Sequence, residues 1–482
     1  MTEPAATAPV AVVVLAAGEG TRMRSTTPKV LHGFAGRSLL GHVLAAAEPL
    51  GATSTVVVVG HARAAVTEHL AAIAPAAVTA VQEEQNGTGH AVRIALAQLP
   101  AQAGGTVLVL PADTPLLRAA TLADLVAAHR AEGAAATMLT SLVGDPDGYG
   151  RVIRRADGGV ERVVEHKDAR PDELAVAEIA AGVYAFDAAL LRDAIGRLST
   201  DNAQGEEYLP DAIAVLRGDG HTIAAVPADE REVAGVNDRV QLAAAHRAYN
   251  HRLLEAHMRA GVTVIDPATT WVDATVTLER DAVLRPSVEL HGRTTVGEGA
   301  DIGPQTTLTD TRVGARSRLE RVVAVDASVG ADVTAGPFAY LRPGTALADG
   351  VHIGTYVEIK NSEIGTGSKV PHLSYVGDAT VGEHSNIGAA TVFVNYDGVE
   401  KHRSVIGSHA RTGADNMFVA PVTVGDGAYT AAGSVITEDV PPGAMAVARA
   451  KQRNVEGWVA RRRPGTAADH AARSALEAEE QS

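Results

Sequence analysis

Two rhythms in the sequence predict an α/β sheet domain joined through one long helix to a parallel β-helix. In the first half, short apolar runs alternate with Ala-rich helical patterns. In the second half, apolar residues recur every six positions, a period that is not helical. Between them, Asn237–Ala260 contains no Gly or Pro inside its helix-forming run and predicts the connecting helix. A chain of 482 residues is too long for one ordinary domain. The expected divisions are residues 1–236, 237–260 and 261–482.

The first half carries strand-like runs at VAVVVLAAG (Val10–Gly18), STVVVVGH (Ser54–His61), TVLVLPAD (Thr106–Asp113) and TMLTSLV (Thr137–Val143). Helical patterns such as LLGHVLAAAEPL (Leu39–Leu50) and LADLVAAHRAE (Leu122–Glu132) lie between them. This alternation predicts a mainly parallel sheet covered by helices, with ligands at the carboxyl ends of its strands. Gly18 and Asp113 stand at such ends. The loop after the first strand, LAAGEGTRMRSTTPKVLH (Leu15–His32), suits phosphate. It lacks the G-x-x-x-x-G-K-S/T spacing of a P-loop. A dinucleotide fingerprint fails too, because Met23 stands where its third Gly belongs and the Thr55–His61 strand ends without an acid. The cations of the loop, Arg22, Arg24 and Lys29, therefore carry the signal.

In the second half the six-residue steps run Val296, Ile302, Leu308, then Leu341, Leu347, Ile353, Ile359, then Val370, Val376, and finally Ile406, Thr412, Phe418, Val424, Thr430, Ile436. Each coil of a parallel β-helix has three short faces, and the recurring residue points inward. A Gly often follows it, as at Gly297, Gly354 and Gly413, which predicts a tight corner. The insert VNYDGVEKHRS (Val394–Ser404) breaks the rhythm and reads as an expelled functional loop. The tail after Arg461 is polar and reads as a flexible extension.

Composition excludes several classes. Apolar residues make up 46% of the chain but aromatics only 3%, so Val, Ala and Leu fill the cores. A net charge of −15 without a basic block argues against nucleic acid as a partner. The absence of cysteine excludes disulfides, thiolate catalysis and Cys-ligated zinc. The opening MTEPAATAP has no basic stretch, and the apolar run after it is short, so neither a leader nor membrane insertion is expected. A cytoplasmic protein is the expectation.

The motifs LAAGEGTRM…PKVLH, QNGTGHA, PADTPL, GYGR, VEHKDA and GVN resemble those of sugar-1-phosphate nucleotidyltransferases, whose domain is Rossmann-like. RPG, KNSEIG, HLSYVGD, SNIGA, NYDG and APVTVGDG resemble those of left-handed β-helix acyltransferases. Together, over nearly all of residues 10–460, the chain resembles the bifunctional N-acetylglucosamine-1-phosphate uridyltransferase / glucosamine-1-phosphate N-acetyltransferase family. The resemblance implies UTP and N-acetylglucosamine 1-phosphate as substrates of the first half, with Mg²⁺ held by Asp113 and Asn237. Arg22 and Lys29 would offset the convergence of anionic phosphates. Leu15, Ala16, Ala17, Gly18, Gln82, Gly87 and Thr88 fall on the nucleotide-binding segments. Gly150, Glu165 and Ala180 fall on the sugar-reading ones. For the second half it implies acetyl-CoA and glucosamine 1-phosphate, with His372 as the proton acceptor. Arg342, Lys360, Tyr375 and Asn386 match its sugar-phosphate contacts. Ala389, Asn395, Tyr396, Ala414, Ala432 and Arg449 match its acetyl-CoA contacts, with Trp458 near the acetyl site of a neighbouring chain. A homotrimer with acyl sites between subunits is implied.

Taken singly, these residues have plainer readings. Asp113 in DTP suits a turn, Asn237 suits the N-cap of the connecting helix, and His372 is one of 18 histidines. The order and spacing of the motifs favour the functional reading. An alternative is a nucleotidyltransferase with one activity and a purely structural β-helix. Several positions depart from the family pattern. Ala112 stands for Gly, Ala180 for Asn, Pro210 for Thr, Asp238 for Asn and Ala414 for Ser, and Glu19 stands where some relatives have Lys. These departures bear on catalytic efficiency more than on the reaction.

Overall fold

The computed structural model describes residues 11–100 and 104–480. The opening MTEPAATAP lies outside them. The chain forms two compact units, Met1–Arg316 and Ser317–Ser482.

Nine strands build the sheet of the first unit: β1 (Ala11–Ala16), β2 (Ser54–Val59), β3 (Val78–Val81), β4 (Thr106–Pro111), β5 (Ala136–Leu142), β6 (Arg151–Arg154), β7 (Val160–Val164), β8 (Glu178–Asp187) and β9 (Ile223–Pro227). Their order is β9-β5-β8-β4-β1-β2-β3, with β6 against β8 and β7 against β6. β1 pairs in parallel with β2 and β4, as expected. β8 runs antiparallel between β4 and β5. Sequence alternation does not reveal β8, because a bulge between Ala180 and Tyr184, with Gly182 at φ 73°, breaks its phase. Along β1, Val12 and Val14 join the core on one face of the sheet, and Val13 joins the core on the other. An unbroken valine run is what a strand buried on both faces requires.

The connecting helix spans Arg239–Arg259. Asn237 does not cap it. The Asp238 side chain does, accepting from Gln241 N at 2.8 Å. Ala245 and Tyr249 of this helix pack on Phe34, Leu39 and Leu116. Asn250 donates to Thr270 O at 2.8 Å and accepts from Val272 N at 3.1 Å. The helix thus adheres to the sheet domain and to the first coils alike. That is why the compact units divide at Arg316, beyond the change of sequence rhythm.

The coils of both units share one plan. In the first, Thr263, Trp271 and Thr277 pair in parallel with Val283, Glu289 and Thr295 on three faces. In the second, Thr334, Tyr340 and Ala346 pair with His352, Glu358 and Glu363. Every residue of the six-residue series is buried, Thr412 at 7% being the most exposed. The glycines after them have a different cause from the one expected. A Cβ on Gly354 would stand 1.8 Å from Pro371 O, so this Gly admits the backbone of the next coil. Gly303, left-handed at φ 102°, is the exception among these glycines, and other left-handed corner positions include Tyr356, Leu373 and Ala390.

The C-terminal tail, expected to be flexible, contains regular helix. Ala467–Glu480 forms a helix in which Asp469 accepts from Gly465 N at 2.9 Å and pairs with Arg473 at 3.1 Å. Among the described residues, no helix is long and apolar enough to cross a membrane.

Candidate active sites

The first site lies at the carboxyl ends of β1, β3 and β4. Gly20 is left-handed at φ 63°, and a Cβ there would meet Lys29 Cβ at 2.4 Å. The glycine thus lets the loop fold back until Lys29 enters the site. The Lys29 ammonium bonds Asp113 Oδ2 and donates to Asn237 Oδ1 at 2.9 Å. Arg22 donates to the same Asn237 oxygen at 2.9 Å. Val236 N bonds Asp113 O at 2.8 Å, which holds the two segments together. Residues far apart in sequence thereby present one carboxylate and one amide oxygen to a cation. Among the described residues no three His, Cys, Asp or Glu side chains cluster for a metal. A pair of oxygens still fits magnesium, which is commonly held by one or two protein donors plus phosphate and water. The ammonium between them shows that the pair attracts positive charge.

Space remains over the loop, because a Cβ on Gly18 would meet nothing within 4 Å. Ala16 and Ala17 bury their methyls in the cores, and Leu15 O accepts from Ala112 N at 3.1 Å. Gln82, 4% exposed, donates to Gly87 O at 3.1 Å. Thr88 Oγ1 accepts from Leu209 N at 3.0 Å. Among the residues expected to read the sugar, Ala180 N bonds Gly150 O at 2.9 Å. Burial pushes the Glu165 carboxyl up, and the charges of Asp211 and Asp168 add to this. The departures are mild here. Ala112 packs its methyl into the core, and Pro210 opens the helix Asp211–Gly218. Sequence reading missed Gln85, whose amide donates to Ala17 O at 2.7 Å and braces the loop.

The second site forms around one corner of the coils in the second unit. Tyr375 pairs with Val392, Val392 with Met417, and Met417 with Val435. His372, Ala389, Ala414 and Ala432 each precede one of these residues by the same interval. They therefore occupy equivalent places on four consecutive coils, and all but the half-buried Ala389 are exposed. Asn386 and Lys369 bridge on the face before this corner. On the face after it, Arg342 pairs with Glu358 at 2.7 Å. Lys360 donates to both oxygens of Asp378, at 3.1 and 3.0 Å. Arg449 lies beside the upper end of the column, its Cδ 3.9 Å from a Cβ built on Gly433.

The root of the expelled loop is Asn395, which bonds Asp378 and, at 3.4 Å, the Tyr375 hydroxyl. A bridge between Tyr396 and Lys401 closes it as a hairpin. Inside, Asp397 accepts from Val399 N at 2.8 Å, Glu400 N at 2.7 Å and His402 at 2.7 Å. Tyr396 is exposed, and its hydroxyl donates to Gly398 O at 2.7 Å. Trp458 stands half-exposed at the start of a short helix, with the Arg463 guanidinium 5.6 Å from its ring centre.

An open sheet with a cation-lined glycine loop, followed by β-helix coils, defines a nucleotidyltransferase fused to an acyltransferase. A MobA-like NTP transferase domain matches residues 12–146. Over 466 residues the chain is 63% identical to the bifunctional protein GlmU of Streptomyces avermitilis, covering 96% of this chain and 97% of that one. Thermobifida fusca GlmU is 62% identical over 474 residues, 98% of each chain. Corynebacterium efficiens GlmU is 54% identical over 470 residues, 96% of each. The chain belongs to the family of the bifunctional protein GlmU, uridyltransferase and acetyltransferase of UDP-N-acetylglucosamine synthesis.

Proposed function

We propose that the two reactions run at the two sites described, each with its own chemistry. In the first, a phosphate oxygen of N-acetylglucosamine 1-phosphate attacks the α-phosphorus of UTP, and the bond to pyrophosphate breaks. That oxygen is already anionic near neutral pH, so no general base is needed. The barrier is the approach of like charges. Lys29 and Arg22 offset it, and backbone N–H groups of the glycine loop orient the triphosphate. Gln82, Gly87 and Thr88 read the uracil, and Gly150 and Glu165 read the sugar. Asp113 and Asn237 would hold magnesium, which would supply further neutralisation of the phosphate charge.

In the second reaction His372 takes a proton from the amino group of glucosamine 1-phosphate. The freed nitrogen attacks the thioester carbon, the C–S bond breaks, and the CoA sulfur leaves with a proton. Arg342 and Lys360 hold the sugar phosphate, and Tyr375 and Asn386 line the sugar. Asn395, Tyr396, Ala389, Ala414, Ala432 and Arg449 hold acetyl-CoA. The exposed Phe338, Tyr356 and Leu373, stacked along the corner next to His372, support burial against further copies of the chain in a homotrimer. Trp458 would then reach a neighbour's acetyl site. A cytoplasmic location fits these soluble substrates.

The observation that carries the reading is the Lys29 ammonium drawn between Asp113 and Asn237 at the mouth of the glycine loop. Asp113→Asn should abolish magnesium-dependent UTP consumption and spare acetyl transfer. His372→Ala should do the reverse, lowering acetylation by about 10² to 10⁴, the usual worth of a positioned base. Assays of both half-reactions on both variants test this. Loss of both activities in a folded single variant would refute the two-site assignment.

A further inference from the structure

Asp378 stands out in the second unit as a buried carboxylate that the reaction above does not use. It is 6% exposed and sits at a left-handed corner, φ 51°. Asn361, Asp378 and Asn395 occupy that corner on three consecutive coils and form a polar ladder. Asn361 donates to Asp378 Oδ1 at 2.6 Å, and Asn395 bonds Oδ2 from the other side. Lys360 donates to both oxygens. Burial alone would push this carboxyl up. The hydrogen bonds from Asn361, Lys360 and Asn395, with the charge of Lys360, outweigh that and hold it below the usual carboxylate range.

The ladder joins two things that the sequence keeps apart. Lys360 belongs to the regular coil face. Asn395 is the last residue before the chain leaves the coil, so its side chain fixes the root of the expelled loop. Beside them, a Cβ on Gly377 would stand 2.3 Å from the Tyr375 hydroxyl and 2.8 Å from the Asn395 amide nitrogen. That glycine leaves the room in which Tyr375 and Asn395 meet. Gly377 carries no left-handed φ, so only this close approach requires it.

We propose that Asp378 is a positioning residue that ties the sugar-phosphate lysine, Lys360, to the root of the acetyl-CoA loop through Asn395, with Gly377 keeping the junction open. The inference rests on the acetyl-site reading given above, and it adds a residue that acts through its neighbours without touching substrate. Two routes follow from the geometry. Asp378 reaches the sugar phosphate through Lys360, and it reaches acetyl-CoA through Asn395.

The test is steady-state kinetics of acetylation on full-length protein. Asp378→Asn keeps the shape but replaces one acceptor oxygen by a donor. It should raise both KM values on the order of tenfold, the worth of one charge-assisted hydrogen bond, with a smaller change in kcat. In an Asn395→Ala background, the same substitution should no longer raise the acetyl-CoA KM. It should still raise the glucosamine 1-phosphate KM, because that route bypasses Asn395. Gly377→Ala crowds only the ends of two side chains, so the coil should persist. It should raise the acetyl-CoA KM, and that rise should vanish in the Asn395→Ala background. Uridylyl transfer, measured in parallel, should stay at the wild-type rate in every variant. Additive effects on the acetyl-CoA KM, or unchanged KM values with a lower kcat, would overturn the proposal. If Asp378→Asn does not fold, the Gly377→Ala pair decides by the same criterion. A wild-type protein that fails to acetylate would overturn the site reading itself. Normal wild-type acetylation without this pattern would overturn only the role of Asp378.

Discussion

Ala414 shows how a single departure from a family pattern can be weighed. It shares its corner column with His372, and its methyl is exposed, so it leaves no buried polar group unpaired. Its backbone oxygen accepts from Gly433 N at 2.9 Å, which ties the position to the next coil. In the acetyl site proposed above, a serine there would add a hydroxyl donor where negative charge develops on the thioester oxygen. Such a donor is worth about 2.7–4 kcal/mol within an oxyanion hole and less where backbone or water already serves. Ala414→Ser should therefore raise kcat for acetylation at least several-fold. The KM for glucosamine 1-phosphate and the uridylyl rate should stay unchanged. Steady-state assays of both half-reactions check this, and an unchanged kcat would mean that the donor is supplied elsewhere. At this scale the motif resemblance is what singled out Lys29, Asp113 and Asn237, and the fold brings Lys29 within hydrogen-bond reach of the other two. The sequence was silent on Asp378, Gln85 and the capping role of Asp238. Those roles depend on which coil or loop lies next to them, and only the folded chain sets that.

Between elements, the clearest case is the seam where the connecting helix meets the sheet domain. His42 is 3% exposed there, stacked on Phe34 at 4.4 Å and edge-on to Tyr249 at 4.5 Å. Its Nε2 lies 3.0 Å from Phe34 O, so the neutral ring donates that bond. Burial pushes its pKa down to about 4 from an ordinary 6.5, which the bond to Phe34 only partly opposes. The unfolded chain binds a proton in this window while the folded chain does not. Stability from the neutral ring is therefore full above about pH 6.5 and is lost as pH falls toward 4. A shift of this size is worth up to about 3 kcal/mol. Thermal unfolding of the wild type should thus weaken between about pH 7.5 and pH 5 more than that of His42→Leu. Equal losses in the two proteins would place the acid sensitivity elsewhere. The elements themselves were unevenly legible. Buried valine runs and six-residue steps declare themselves, since each repeats one local environment. β8 and the tail helix do not, because a bulge interrupts one and the other has an Ala-rich stripe in which Leu476 is the one large apolar residue.

For the whole molecule, the proposed sites fall in different compact units. Lys29, Asp113 and Asn237 lie within Met1–Arg316, and His372 with its neighbours lies within Ser317–Ser482. If acyl sites form between copies of the chain, His372 and Trp458 of one site come from different copies. Mixed oligomers of His372→Ala and Trp458→Ala chains should then recover acetylation that neither variant shows alone. Co-expression followed by activity assay and light scattering measures this. A trimer without recovery would mean that each copy builds its own site.

The corner column has a further consequence, in terms of length. Neighbouring coils lie about 4.8 Å apart, the spacing of paired strands. From His372 to Ala432 the column therefore measures about 14 Å, marked off in three equal steps. A solenoid can change this distance only by whole coils, never by fractions. If the column holds acetyl-CoA as proposed, the reach of a thioester arm along it is graduated like a ruler, and a base moved by one coil would miss its nitrogen by one full division.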